Sequence, residues 1–346
     1  MATARSLFDT YLMVDWSAAS TPKRGRDSIW FCQLEREAAG LRIVAHENPS
    51  TRAEAYRRLR TILLDGVARN ASILIGFDFP LAYASGLGQR LGLPTPHWRA
   101  IWDTIAGLVI DDDTNASNRF AAAAELNRRI SGGPFPFWGC PSRQVGPCLA
   151  MTHHRRHELE GLAERRLSDH RMRRIQPGWK LAGTGSAGSQ ALTGIPIVRR
   201  LRDDPVLAPY ARIWPFETGL RPLAPADKSG RLIFAEIYPS QRPAIGAPDE
   251  VKDSAQVRTI GRYFADLDSR GELAAVFAGD PALSEEERGI VEREEGWVLG
   301  IVGDASTRPH PPVAKATGPS LSRKRARALI AASVAASSPA RGRGLG

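Results

Sequence analysis

Tyr11-Leu-Met-Val-Asp15-Trp16-Ser17-Ala-Ala-Ser20 constrains this chain more than any other stretch. An apolar run ends in a carboxylate, followed by small residues and Pro22. That pattern predicts a buried strand closing on a tight turn. A charge at the end of a core strand is costly unless something binds it. Two further stretches have the same character. Ile73-Leu-Ile-Gly-Phe77 runs into Asp78, and Leu232-Ile-Phe-Ala-Glu236-Ile-Tyr-Pro239 holds an acid within an apolar segment.

The segments between them give an order. Residues 28–34 and 41–46 alternate as strands around Gly40, which with the first strand predicts an antiparallel meander. Ser50 and Glu54 have the spacing of a helix start, and Ala55, Leu59, Ile62, Leu63 and Val67 continue it at helical period. Residues 72–77 return as a strand. A helix crossing between strands favours a parallel pair. The fourth strand is therefore expected beside the first, with Asp15 and Asp78 at one C-terminal edge, where open α/β sheets take ligands.

Residues 81–230 break the alternation and read as a helical insertion or lid. Helices are expected at 100–110, 121–130 and 191–201, with a long basic helix at 149–175. Gly132-Gly-Pro-Phe-Pro-Phe-Trp-Gly139 reads as a rigid loop, and Ala182-Gly-Thr-Gly-Ser-Ala-Gly188 as a flexible or phosphate-binding one. The latter lacks P-loop spacing. A fifth strand follows at 232–238, then helices at 253–267 and from Ser284. The expectation is one α/β domain over 1–305, and a basic disordered tail over 306–346.

Charge bears on the partner. The chain has 346 residues and a net charge of +10, which resembles a nucleic-acid signature. Eight basic residues and no acid follow Asp304, and they account for all but +2 of that excess. The tail can meet nucleic acid or another acidic surface, or simply be solvated. No apolar run nears the ~20 residues of a membrane span. Met1-Ala-Thr-Ala-Arg5 leads into no apolar leader, and three cysteines suit a reducing cytoplasm.

Aspartates on separate strands are a usual way to hold Mg²⁺ or Mn²⁺. Asp15, Asp78 and Glu236 are the expected metal ligands, and Glu295 is the acid chosen over Glu294 and Asp304 to complete a catalytic set. Any one acid alone reads equally as a turn residue or helix cap. Ser17, Arg143 and Lys180 are the expected substrate contacts. Arginines interleaved with acids over 155–174 read as a solvated helix face or a phosphate-backbone grip. Trp138 and Trp179 read as core or as base-stacking aromatics. Cys140, Cys148, His153 and His154 are poorly spaced for structural zinc.

Val14-Asp-Trp-Ser17, Ile75-Gly-Phe-Asp-Phe-Pro80, Phe137-Trp-Gly-Cys-Pro141 and Ala235-Glu-Ile-Tyr-Pro239 together resemble the family called domain of unknown function 429. That family is regarded as predicted nucleases of ribonuclease-H-like fold. The resemblance covers roughly residues 10–305. It implies a mixed sheet of that type, with Asp15, Asp78 and Glu236 in metal-binding roles. Two features depart from the family pattern: Glu294-Glu-Gly-Trp297 stands where an Asp-Ala pair is usual, and Trp16-Ser-Ala-Ala replaces an early Gly-rich turn. The leading expectation is a metal-dependent phosphodiester or nucleotide hydrolase. The alternatives are a non-catalytic nucleotide- or cofactor-binding protein and an actin-like phosphotransferase.

Overall fold

In the computed structural model, residues 6–153, 156–172, 175–224 and 230–303 are described. The expected tail at 306–346 lies outside them.

Six strands form one sheet in the order β3-β2-β1-β4-β6-β5. They are β1 (Thr10–Asp15), β2 (Trp30–Glu37), β3 (Gly40–Glu47), β4 (Ser72–Phe77), β5 (Ala211–Ile213) and β6 (Arg231–Glu236). β1–β2 and β2–β3 pair antiparallel, the first across the long loop between Asp15 and Trp30 and the second across the tight turn before Gly40. β4 lies parallel to β1, β6 parallel to β4, and β5 parallel to β6. Helix α1 (Arg52–Ala68) is the crossover that makes the first parallel pair possible. Thr51 caps it by accepting the Glu54 N–H at 3.1 Å, and the Glu54 carboxylate returns to the Ser50 N–H at 2.7 Å.

The remaining helices are α2 (Leu87–Arg90), α3 (His97–Leu108), α4 (Arg119–Ser131), α5 (His157–Glu160), α6 (Ala187–Arg202), α7 (Lys252–Ser269), α8 (Leu273–Val276) and α9 (Glu285–Ile290). Strand alternation divides the core between two layers. Leu12, Val14 and Trp16 of the first strand and its turn, with Ile73, Ile75, Phe77, Leu232 and Phe234, pack with residues of α1, α3, α4 and α6. Tyr11, Met13, Leu74, Ile233 and Ala235 face the other way, onto Val257, Ile260 and Phe264 of α7. The 81–230 segment supplies most of the first layer. Gly194 sits so close to the Phe79 ring that a methyl group there would overlap it.

Three expectations are corrected. The long basic helix over 149–175 is absent among the described residues; only α5 and a short turn at Asp169–Arg171 are helical there. Gly161, at φ 65°, ends α5 in the left-handed region, and the arginines beyond it are drawn to tertiary partners instead of a solvated face. The short strand β5 lies inside the stretch read as helical. Finally, the strand expected to reach Tyr238 stops at Glu236, where the chain turns into Pro239–Gln241.

Candidate active site

β1 is buried until its last residue, and parallel pairing sets Val14 against Phe77. One step further, Asp15 and Asp78 emerge side by side. The ladder continues through the turn, with the Asp78 N–H donating to the Val14 carbonyl at 3.2 Å. The Trp16 N–H donates to Asp78 Oδ1 at 2.7 Å. Asp15 is in phase with Tyr11 and Met13, and Asp78 alternates with Phe77 and Phe79, which face the other layer. Both carboxyls therefore project to the α7 side of the sheet.

A third acid lies close by. Asp253 occupies the first turn of α7, and its Oδ2 accepts the Asp27 N–H at 2.9 Å. Burial, then the charges of Asp78 and Asp253 and a hydrogen bond to Asp78, push the Asp15 carboxyl well above the usual range. Burial also raises Asp78, to about 7, against the lowering effect of the Trp16 N–H and the Asp15 hydrogen bond. The two carboxyls therefore hold a proton between them above the usual carboxylate range. No described lysine or arginine forms an ion pair with either.

Glu236 and Glu295 meet elsewhere. Glu236 is in phase with Leu232 and Phe234, so its side chain leaves the sheet on the face opposite Asp15 and Asp78. Arg166 grips it through both terminal nitrogens, at 2.6 and 2.7 Å, and the Leu81 N–H donates to Oε2 at 3.1 Å. Asp169 holds the same guanidinium at 2.9 Å. Burial works against the Arg166 charge, but Asp169 and Glu236 outweigh it and keep the group protonated. Glu295, on a π-helical turn (Val291–Glu295), accepts the Ser85 N–H at 2.8 Å and the Leu167 N–H at 2.6 Å. Its backbone carbonyl accepts from Arg166 Nη1 at 3.3 Å. The expected set of four acids is therefore two separate pairs, and the placement of Glu236 with Asp15 and Asp78 on one cation is corrected.

The expected substrate contacts are also dispersed. Ser17 follows the acid pair in the chain, and its hydroxyl donates to the Asp27 carbonyl at 3.1 Å. Arg143 is exposed on the turn Ser142–Gln144. Lys180 donates to Gln176 Oε1 at 3.0 Å and to the Thr184 carbonyl at 2.8 Å, so it braces the Gly-rich loop ahead of α6. Trp179 is core: it stacks on Tyr83 at 4.8 Å between ring centroids and donates its indole N–H to the Ala163 carbonyl. Arg171 is bound to Asp280 at 3.0 Å, which with Arg166 removes two arginines from the expected phosphate grip.

Two groups important here were not singled out from the sequence: Asp253, which stood at the start of an expected helix, and Arg119, which nothing local distinguishes. Arg166 was read only as one of the arginines over 155–174, not as the partner of Glu236. Among the described residues, no three of His, Cys, Asp and Glu are arranged to hold a metal ion. No helix among them is long and apolar enough to cross a membrane. Comparison of the chain with protein-family models, curated proteins and solved structures finds no match.

Proposed function

We propose that the chain is a divalent-metal-dependent hydrolase of phosphodiesters or nucleotide phosphates, built on a ribonuclease-H-like sheet. The observation that carries this reading is the Asp15–Asp78 pair. Two carboxyls from adjacent parallel strand ends lean on each other, with Asp253 adding negative charge and no cationic side chain among the described residues paired to them. The strand order, with an antiparallel meander joined to parallel strands, supports the architecture. So does the motif resemblance to the predicted nucleases of domain of unknown function 429.

The donor set fits Mg²⁺ or Mn²⁺. Mg²⁺ is commonly held by one or two carboxylates, with waters and substrate phosphate completing its shell. Asp15 and Asp78 would hold the ion, and Asp253 would add charge from α7. When bound, such an ion supplies an activated water and neutralises charge on the phosphoryl oxygens. The chain's own part is to fix Asp78 through the Trp16 N–H and to keep the pair poised to give up its shared proton. The pair gives up its proton only above the usual carboxylate range, so cation affinity is expected to rise as pH increases through neutrality.

A panel of RNA, DNA, nucleotides and a small phosphodiester, assayed with Mn²⁺ and Mg²⁺, tests the reading. Hydrolysis by the wild type is expected, reduced at least about 100-fold in Asp15→Asn and Asp78→Asn. Turnover that persists in both variants would contradict it. A second reading, binding without chemistry, is favoured by the lack of a three-ligand cluster among the described residues. It predicts cation-dependent nucleotide binding with no turnover on the same panel.

A further inference from the structure

Arg119, the first residue of α4, is buried, and forms no ion pair with an acid among the described residues. Its neighbour Arg52 is different: Arg52 is satisfied by Asp111 at 2.5 and 2.6 Å, and by the Ser17 and Ala19 carbonyls. Arg119 bonds only to hydroxyls. Nε donates to Ser189 Oγ at 3.1 Å, Nη1 to Ser117 Oγ at 3.0 Å and Nη2 to Ser20 Oγ at 3.1 Å. A guanidinium has five N–H donors, so one on each terminal nitrogen is left over. The Ser189 hydroxyl is spent on the Leu181 carbonyl at 2.6 Å. Ser20 is exposed and Ser117 half-buried, so that end of the fork lies against hydroxyls near the surface. A buried guanidinium without a carboxylate is an expensive arrangement. Burial and the charge of Arg52 drag its pKa down to about 10, against the smaller opposing effect of Asp111, and the guanidinium lies 4.5 Å over the Phe120 ring.

The same loop and helix tie this guanidinium to the acid pair. Ser20 lies five residues after Asp15, a reach of at most about 18 Å. Trp16, directly after Asp15, donates its indole N–H to Thr193 Oγ1 at 3.3 Å, and its carbonyl accepts from Gln190 Nε2 at 2.6 Å. Ser189, which holds Arg119, lies one turn before Thr193 on the same face of α6. Trp16 and Arg119 thus meet the first two turns of one helix, while the carboxyls of Asp15 and Asp78 turn to the other side of the same sheet edge.

We propose that Arg119, with the hydroxyls of Ser20 and Ser117, is a phosphoryl-binding site on the α6 side of the sheet edge that carries Asp15 and Asp78. A planar fork with two free N–H groups suits two oxygens of one phosphoryl group, and the hydroxyls can turn to donate as well. The assignment of this phosphoryl group to the substrate rests on the phosphoester reading; the anion site itself does not. Together the two sites would hold the reacting phosphate at the carboxylates and a more distant one, across the sheet edge, at Arg119. That arrangement selects a polynucleotide over an isolated phosphomonoester.

The test is titration calorimetry and thermal shift of the full chain in EDTA, with inorganic phosphate, pyrophosphate and a nucleoside monophosphate as probes and acetate as the control. Wild type and Asp15→Asn are expected to bind the phosphates alike. Arg119→Gln is expected to bind at least about tenfold more weakly. Ser20→Asp, a change at an exposed position that places a carboxylate against the guanidinium, is expected to bind as weakly and to keep the native fold even if Arg119→Gln does not. Phosphate binding undiminished in Ser20→Asp or in a folded Arg119→Gln would overturn the assignment, as would no binding by the wild type or an equal response to acetate. Phosphate binding that survives while Mn²⁺ has no effect on the wild type would sink the metal reading and leave this subsite standing.

Discussion

Glu295 is a buried acid whose two oxygens each accept one backbone N–H, from Ser85 and Leu167. Burial raises its carboxyl to about 7 despite those bonds. The folded protein therefore holds a proton there that the unfolded chain releases near pH 4.5. The unfolded state binds fewer protons between those values, so this residue's contribution to stability falls as pH rises from about 4.5 to 7, then levels off. Glu295→Gln is expected to lack that fall, so that the wild-type and variant stabilities differ by about 3 kcal/mol more at pH 7.5 than at pH 4.5. Urea denaturation of both proteins across that range checks it; parallel curves would contradict it. Glu236 shows why such residues mislead at the sequence level. Its apolar neighbours mark it correctly as a buried acid in a core strand. The phase of the strand, which sends it away from Asp15 and Asp78, is also legible in the text. What is not legible is the compensating charge, because Arg166 lies 70 positions away in a stretch that reads as a basic surface helix.

At the level of elements, the β1–β4 pairing was readable because each piece has local cause: Gly40 turns the meander, Ser50 and Glu54 mark the start of α1 to within one residue of its actual cap, Thr51, and a crossover helix enforces a parallel neighbour. The 149–175 segment was not readable, because its conformation follows long-range ion pairs over helix propensity. Arg166 carries most of that burden, since it joins Glu236 of β6, Asp169 and the Glu295 carbonyl. Arg166→Met is expected to destabilise the fold by about 3–5 kcal/mol, because it leaves buried carboxylates without their partner. Glu236→Gln is expected to leave the metal response of the Asp15–Asp78 pair unchanged. Equilibrium denaturation and Mn²⁺ titration of the two variants check these outcomes; a Glu236→Gln protein blind to Mn²⁺ would return that acid to the metal site.

For the molecule as a whole, charge and chemistry are segregated along the chain. Residues 1–304 carry only +2 of the net +10, and the candidate site lies among them. Removing residues 305–346 is expected to weaken non-specific binding to nucleic acid and flatten its salt dependence, while hydrolysis of a small phosphodiester stays as it was. Gel-shift titrations at two salt concentrations beside a chromogenic assay would show it; equal losses in both would tie the tail to the chemistry. The central claim, however, is local: Asp15 and Asp78 form a site for a divalent cation. Thermal-shift titration with Mn²⁺ at pH 8 tests it most directly. The account predicts a saturable rise in Tm for the wild type that Asp15→Asn and Asp78→Asn both abolish; the same rise in all three proteins, or none in the wild type, would contradict it.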